Sequence, residues 1–158
     1  MSTIDLFFGS IREGNISKVK ELISEEPSLL KTRDLRGSTP LILATYYNHI
    51  DILKMLIEEK ADLNMKDTSG NTALMGVCFK GYIEAAILLI ENKAELNTVN
   101  SMGATALIYA VTFSQLDLIE LLLKNGADAS IKDAKGNSAM DHAIIQEDSA
   151  IITLLKKR

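Results

Sequence analysis

Asp141 and His142 stand side by side, and with His49 and Cys78 they are the residues of this 158-residue chain from which chemistry could start. A carboxylate beside an imidazole suggests acid and base work. Neighbours on a helix point about 100 degrees apart, however, so this pair does not form a facing dyad. His49 is the only other histidine; it falls at a helix start, where packing is its expected role. Cys78 is the only cysteine. No serine or cysteine is placed to complete a nucleophilic set, so Cys78 is read as a small core residue. A metal site needs several Cys, His or carboxylate ligands, and Cys78 is close to neither histidine. The turn Asp67-Thr68-Ser69-Gly70-Asn71 has oxygen ligands but lacks the acidic loop of about 12 residues of a calcium hand. The glycines follow the repeat spacing of the chain and form no phosphate-cradling loop. The sequence therefore predicts no catalytic residue, no metal and no cofactor.

Apolar residues make up 47% and charged residues 24%, with no Trp, a globular composition without a sign of disorder. The net charge of −4 is spread thinly, as 0, −1, −2, −1 and 0 over segments cut at residues 34, 67, 100 and 133. No segment supplies the basic surface that phosphate binding needs, which argues against nucleic acid. Lys156-Lys157-Arg158 is read as a basic helix end. Apolar runs such as Ala85 to Ile90 fall far short of the roughly 18 residues of a membrane span. A lone cysteine and a start without a basic stretch and long apolar run point to a soluble protein in a reducing, cytoplasmic setting.

What must position any site is a period of 33 residues. Asp34 to Gly37, Asp67 to Gly70, Asn100 to Gly103 and Asp133 to Gly136 are turns in phase, and such a period marks stacked repeats. Glycine in these turns accepts positive φ without a Cβ penalty. Thr39, Thr72, Thr105 and Ser138 follow two residues later as expected N-caps, with Pro40 at a first helical position. The first helix, about Pro40 to Tyr47, buries Leu41 and Ala44; Leu74 with Val77, Leu107 with Ala110 and Met140 with Ala143 match them. Asn48, Gly81, Ser114 and Glu147 reverse the chain. A second helix follows, with Ile50, Leu53, Leu56 and Ile57, or their counterparts from Ile83 and Leu116, expected on the buried face. Residues 4–33 read as a helix pair starting at Asp5, with Gly14-Asn15 at the break. Lys156 stands near where Ile57, Ile90 and Leu123 would sit, so both ends read as solvent-facing caps.

The strings behind the turns, from Gly37-Ser38-Thr39-Pro40-Leu41 to Gly136-Asn137-Ser138-Ala139-Met140, and the closings Lys60-Ala61-Asp62-Leu63-Asn64 and Gly126-Ala127-Asp128-Ala129-Ser130 resemble the ankyrin-repeat family. The resemblance implies an all-α solenoid of helix-turn-helix units with projecting β-turns, about five units including caps. It implies a single domain over residues 1–158: an N-terminal capping repeat 1–33, full repeats 34–66, 67–99 and 100–132, and a C-terminal capping repeat 133–158. His49 occupies a place where the family commonly has a histidine. The histidine of the family's Thr-Pro-Leu-His string is replaced by Ile42, Met75, Ile108 and Asp141, which puts its usual link between repeats in doubt. Lys60 and Lys93 replace a customary glycine kept only as Gly126, so those helix ends are strained or differently shaped.

Partners of ankyrin-like proteins usually dock on the concave face lined by turns and first helices. Carried over, the turn positions are Leu35, Arg36 and Ser38, then Thr68, Ser69 and Asn71, then Ser101, Met102 and Ala104, then Ala134, Lys135 and Asn137. The helical positions are Tyr46 and Tyr47, Phe79 and Lys80, Thr112 and Phe113, then Ile145 and Gln146. Four of the chain's eight aromatic residues fall in this row, a plausible hot spot; the competing reading is that the rings pack together and close the groove. The function implied is a non-catalytic adaptor, scaffold or inhibitor that binds a protein partner. The alternatives are a homodimer that buries the aromatic row, and an enzyme or small-ligand protein using Asp141 and His142.

Overall fold

A computed structural model describes residues 1–157. The chain divides into two compact units, one ending at Ala73 and the other beginning at Leu74. The described residues are helical, without strands.

The first unit holds α1 (Thr3–Glu13), α2 (Ile16–Glu25), a 3₁₀ turn (Pro27–Lys31), α3 (Pro40–Tyr46) and α4 (Ile50–Glu58). Helix α1 starts earlier than Asp5: Ser2 is its N-cap and Asp5 is the reciprocal partner of the capping box. Phe7, Phe8 and Ile11 are fully buried, and α1 packs on both α2 and α3.

The second unit holds α5 (Ala73–Lys80) apart from its first residue, α6 (Ile83–Glu91), α7 (Ala106–Thr112), α8 (Leu116–Lys124), α9 (Ala139–Ile145) and α10 (Ser149–Lys156). Helix α7 packs on α8 and α9, α9 on α10, and α6 on α8. The side chains of Thr39, Thr105 and Ser138 accept from N–H groups three residues on, as expected of N-caps.

Gly37, Gly70, Gly103 and Gly136 all have positive φ. Each turn is closed by the side chain that opens it. Oδ1 of Asp34, Asp67, Asn100 and Asp133 accepts from two backbone N–H groups of its own turn at 2.9–3.0 Å, the local bonding that makes Asp and Asn turn residues. The breaks at Asn48, Ser114 and Glu147 are left-handed, with φ of 53–55°. Lys60 and Lys93 adopt φ of 65° and 71°, so these ends keep the left-handed form and carry its cost.

Second-helix burial differs from the periodic expectation at both ends of the face: Ile57, Ile90 and Leu123 in the last turn are only half-buried, and the first position departs further. Ile83 and Leu116 are exposed and Ile50 is only half-buried, whereas Ile52, Ala85 and Leu118 lie in the core. Ile50, Ile83 and Leu116 are the first residues of their helices, with no preceding turn to cover them. On the first helices, Met140 is half-buried while Leu41, Leu74 and Leu107 are buried.

Within each unit, polar groups join successive turns where the family histidine is missing. The Arg33 guanidinium donates to the carbonyls of Gly37 and Lys66, and the Ala134 N–H donates to the Met102 carbonyl at 2.9 Å.

Candidate functional site

The two histidines and Cys78 serve the fold. Asp141 Oδ2 accepts from the Ser138 N–H at 2.9 Å and its hydroxyl at 3.0 Å, and these bonds hold its carboxyl below the ordinary range. His142 turns away from its neighbour: its Nε2 lies 2.7 Å from Asp133 Oδ2. Burial alone would raise Asp133, but the Asn137 N–H, His142 and the Lys135 N–H together hold its carboxyl below the ordinary range. His49 Nε2 lies 3.1 Å from the Arg12 carbonyl, and its ring covers left-handed Gly14, where a Cβ would come within 2.9 Å of it. The Cys78 thiol is fully buried, and burial pushes it up to about 12, far from the thiolate a nucleophile requires. Among the described residues no three His, Cys, Asp or Glu side chains gather as metal ligands would.

In the first unit Leu35 at the turn tip is 100% exposed, with Arg36, Thr68 and Ser69 also exposed and Ser38 and Asn71 half-buried. At the end of α3, Tyr46 and Tyr47 meet edge-to-face with centroids 5.2 Å apart, and Tyr47 stacks on His49. Tyr46 nevertheless keeps 54% of its surface exposed. Packing between rings and exposure to water therefore coexist.

The second unit repeats this arrangement. Phe79 and Phe113 meet edge-to-face at 4.5 Å while 47% and 43% exposed; Lys80 is half-buried and Thr112 exposed beside them. Ser101, Met102, Ala134 and Lys135 are exposed at the turns and Ile145 and Gln146 on α9, while Asn137 is half-buried. Ala104 departs from expectation: its methyl group is buried, because the turn directs its N–H to Asn100 Oδ1 at 3.0 Å and its side chain inward.

Tyr109 lies outside the positions that the sequence marks. Its ring stacks on Phe113, its hydroxyl accepts from Asn100 Nδ2 at 2.9 Å, and with Met102, Ile108, Thr112, Ala134 and Lys135 it lines a groove of about 210 Å³. The signal was the spacing Asn100–Tyr109, which recurs as Asp133–His142.

No helix among the described residues is long and apolar enough to cross a membrane. No curated protein matches the chain. The family description "Ankyrin repeats (3 copies)" matches residues 7–100, 59–133 and 92–158. Ankyrin repeats are generally protein–protein interaction modules and typically non-catalytic. With that match running from residue 7 to residue 158 over helix pairs joined by glycine turns, the chain belongs to the ankyrin-repeat family.

Proposed function

We propose that this chain is a non-catalytic adaptor, scaffold or inhibitor, and that its turn tips and first-helix ends bind a protein partner. The observation that carries the reading is the Phe79–Phe113 pair, with Tyr46 and Tyr47 as its counterpart in the first unit: large rigid rings, packed together yet close to half exposed. Exposed aromatic surface of this kind is what interface hot spots are made of. Leu35 and Met102 at turn tips add apolar surface that no core side chain covers. A buried lone cysteine suits a reducing, cytoplasmic setting.

Affinity capture with the intact chain and with a Tyr46→Ala, Phe79→Ala, Phe113→Ala variant of matched melting temperature tests the reading. A partner held only by the intact chain supports it. Equal capture moves the interface elsewhere, and a mass that rises with concentration in sedimentation replaces the reading with self-association through the rings.

A further inference from the structure

The groove of the second unit combines an apolar lining with charge of one sign at its open edge. Tyr109, Ile108 and Met102 supply the lining, and Met102 is 59% exposed at the mouth. The acidic group there, Asp133, is turned inward: its side chain is 12% exposed, Oδ1 takes two backbone N–H groups and Oδ2 faces His142. Lys135, at the same mouth, is exposed, and its ammonium makes no ion pair among the described residues.

This bias follows the repeat. No acidic residue occupies any turn-tip or first-helix-end position, while Arg36, Lys80 and Lys135 do, in a chain of net charge −4. Six carboxylates sit instead on α4, α6 and α8, as Asp51, Glu58, Glu84, Glu91, Asp117 and Glu120, while Asp34, Asp67 and Asp133 accept from N–H groups of the turns they open. Positive charge at the mouth of this groove, in a chain of net negative charge, steers acidic partners toward it and turns basic ones away.

We propose that this groove receives a leucine-sized or phenylalanine-sized side chain from an acidic segment of another protein, whose carboxylates lie against Lys135. The inference rests on the interaction reading above and adds the partner's chemistry. The apolar side chain supplies burial; the carboxylates supply orientation and a salt-dependent association rate.

The test is selection of random dodecapeptides displayed on phage against the intact chain, with each enriched peptide then measured on Lys135→Glu, Met102→Ala and Lys54→Glu variants. The substituted side chains are exposed, so folding is preserved and is checked by melting. The expected peptides carry net negative charge around one bulky apolar residue. They weaken about tenfold or more on Lys135→Glu and severalfold on Met102→Ala, and are unchanged on Lys54→Glu, which lies on α4. Basic or neutral peptides that depend on Met102 overturn the charge inference and leave the face standing. Peptides indifferent to both groove variants, or no enrichment, overturn the inference; indifference also to the triple aromatic variant removes the interaction reading itself.

Discussion

His142 Nε2 stands 2.7 Å from Oδ2 of Asp133, nine residues back along the chain, and so ties the last turn to the helix behind it. Asn100 and Tyr109 stand in the same relation, with the amide donating to the phenol at 2.9 Å. In both repeats Oδ1 closes the turn while the second polar atom reaches the first helix. Asp133→Ala should therefore cost about 1–3 kcal/mol, because two turn N–H groups and one imidazole lose their partner. Asp133→Asn should cost well under half of that, since Asn100 already performs the role. Urea unfolding of the two variants checks the order.

Acid should withdraw the contribution of three carboxylates only below the ordinary carboxylate range. Asp5 and Asp141 are held low chiefly by their Ser2 and Ser138 hydrogen bonds, and Asp133 by its turn bonds and His142 against the opposing effect of burial. The folded state keeps these groups ionised where the unfolded chain begins to take up protons. Their stabilisation is therefore fully present above the ordinary value of 3.8 and is lost as pH falls through the lowered folded values. Melting temperature should be insensitive to these groups from neutral pH to about 4 and fall below it. An Asp5→Asn, Asp141→Asn variant should start lower and fall less steeply.

Left-handed positions should respond to substitution in opposite directions. Lys60→Gly and Lys93→Gly should each stabilise by about 0.5–1 kcal/mol, relief of the Cβ strain exceeding the added chain entropy. Gly126→Ala should cost about 1–2 kcal/mol from conformation alone, since a Cβ there meets nothing within 4 Å. Gly37→Ala should cost more, because its Cβ would collide with Thr68 Cγ2, and Thr68→Ser in the same chain should recover part of the loss. Denaturant midpoints of these variants check each sign.

The elements and their order were legible because a 33-residue period repeats every local signal in phase. Glycine turns, hydroxyl caps and paired apolar helices each appear three or four times, so one irregular copy does not obscure them. Tertiary placement was less legible. Three-to-four spacing put Ile50, Ile83 and Leu116 on the buried face, yet a helix-opening residue lacks the preceding turn that would shelter it. Asp5 looked like a helix start because capping boxes are reciprocal and Ser2 is the other half. Tyr109 has no local marker, because its partner Asn100 lies across a turn, whereas adjacency singles out Asp141 beside His142.

The most direct measurement is the affinity of the captured protein partner for the intact chain and for the Tyr46→Ala, Phe79→Ala, Phe113→Ala variant by titration calorimetry, with melting temperatures matched first. A loss of about 2 kcal/mol or more, roughly thirtyfold in Kd, is predicted. Equal affinities would contradict the account and place the interface away from the turns and first-helix ends.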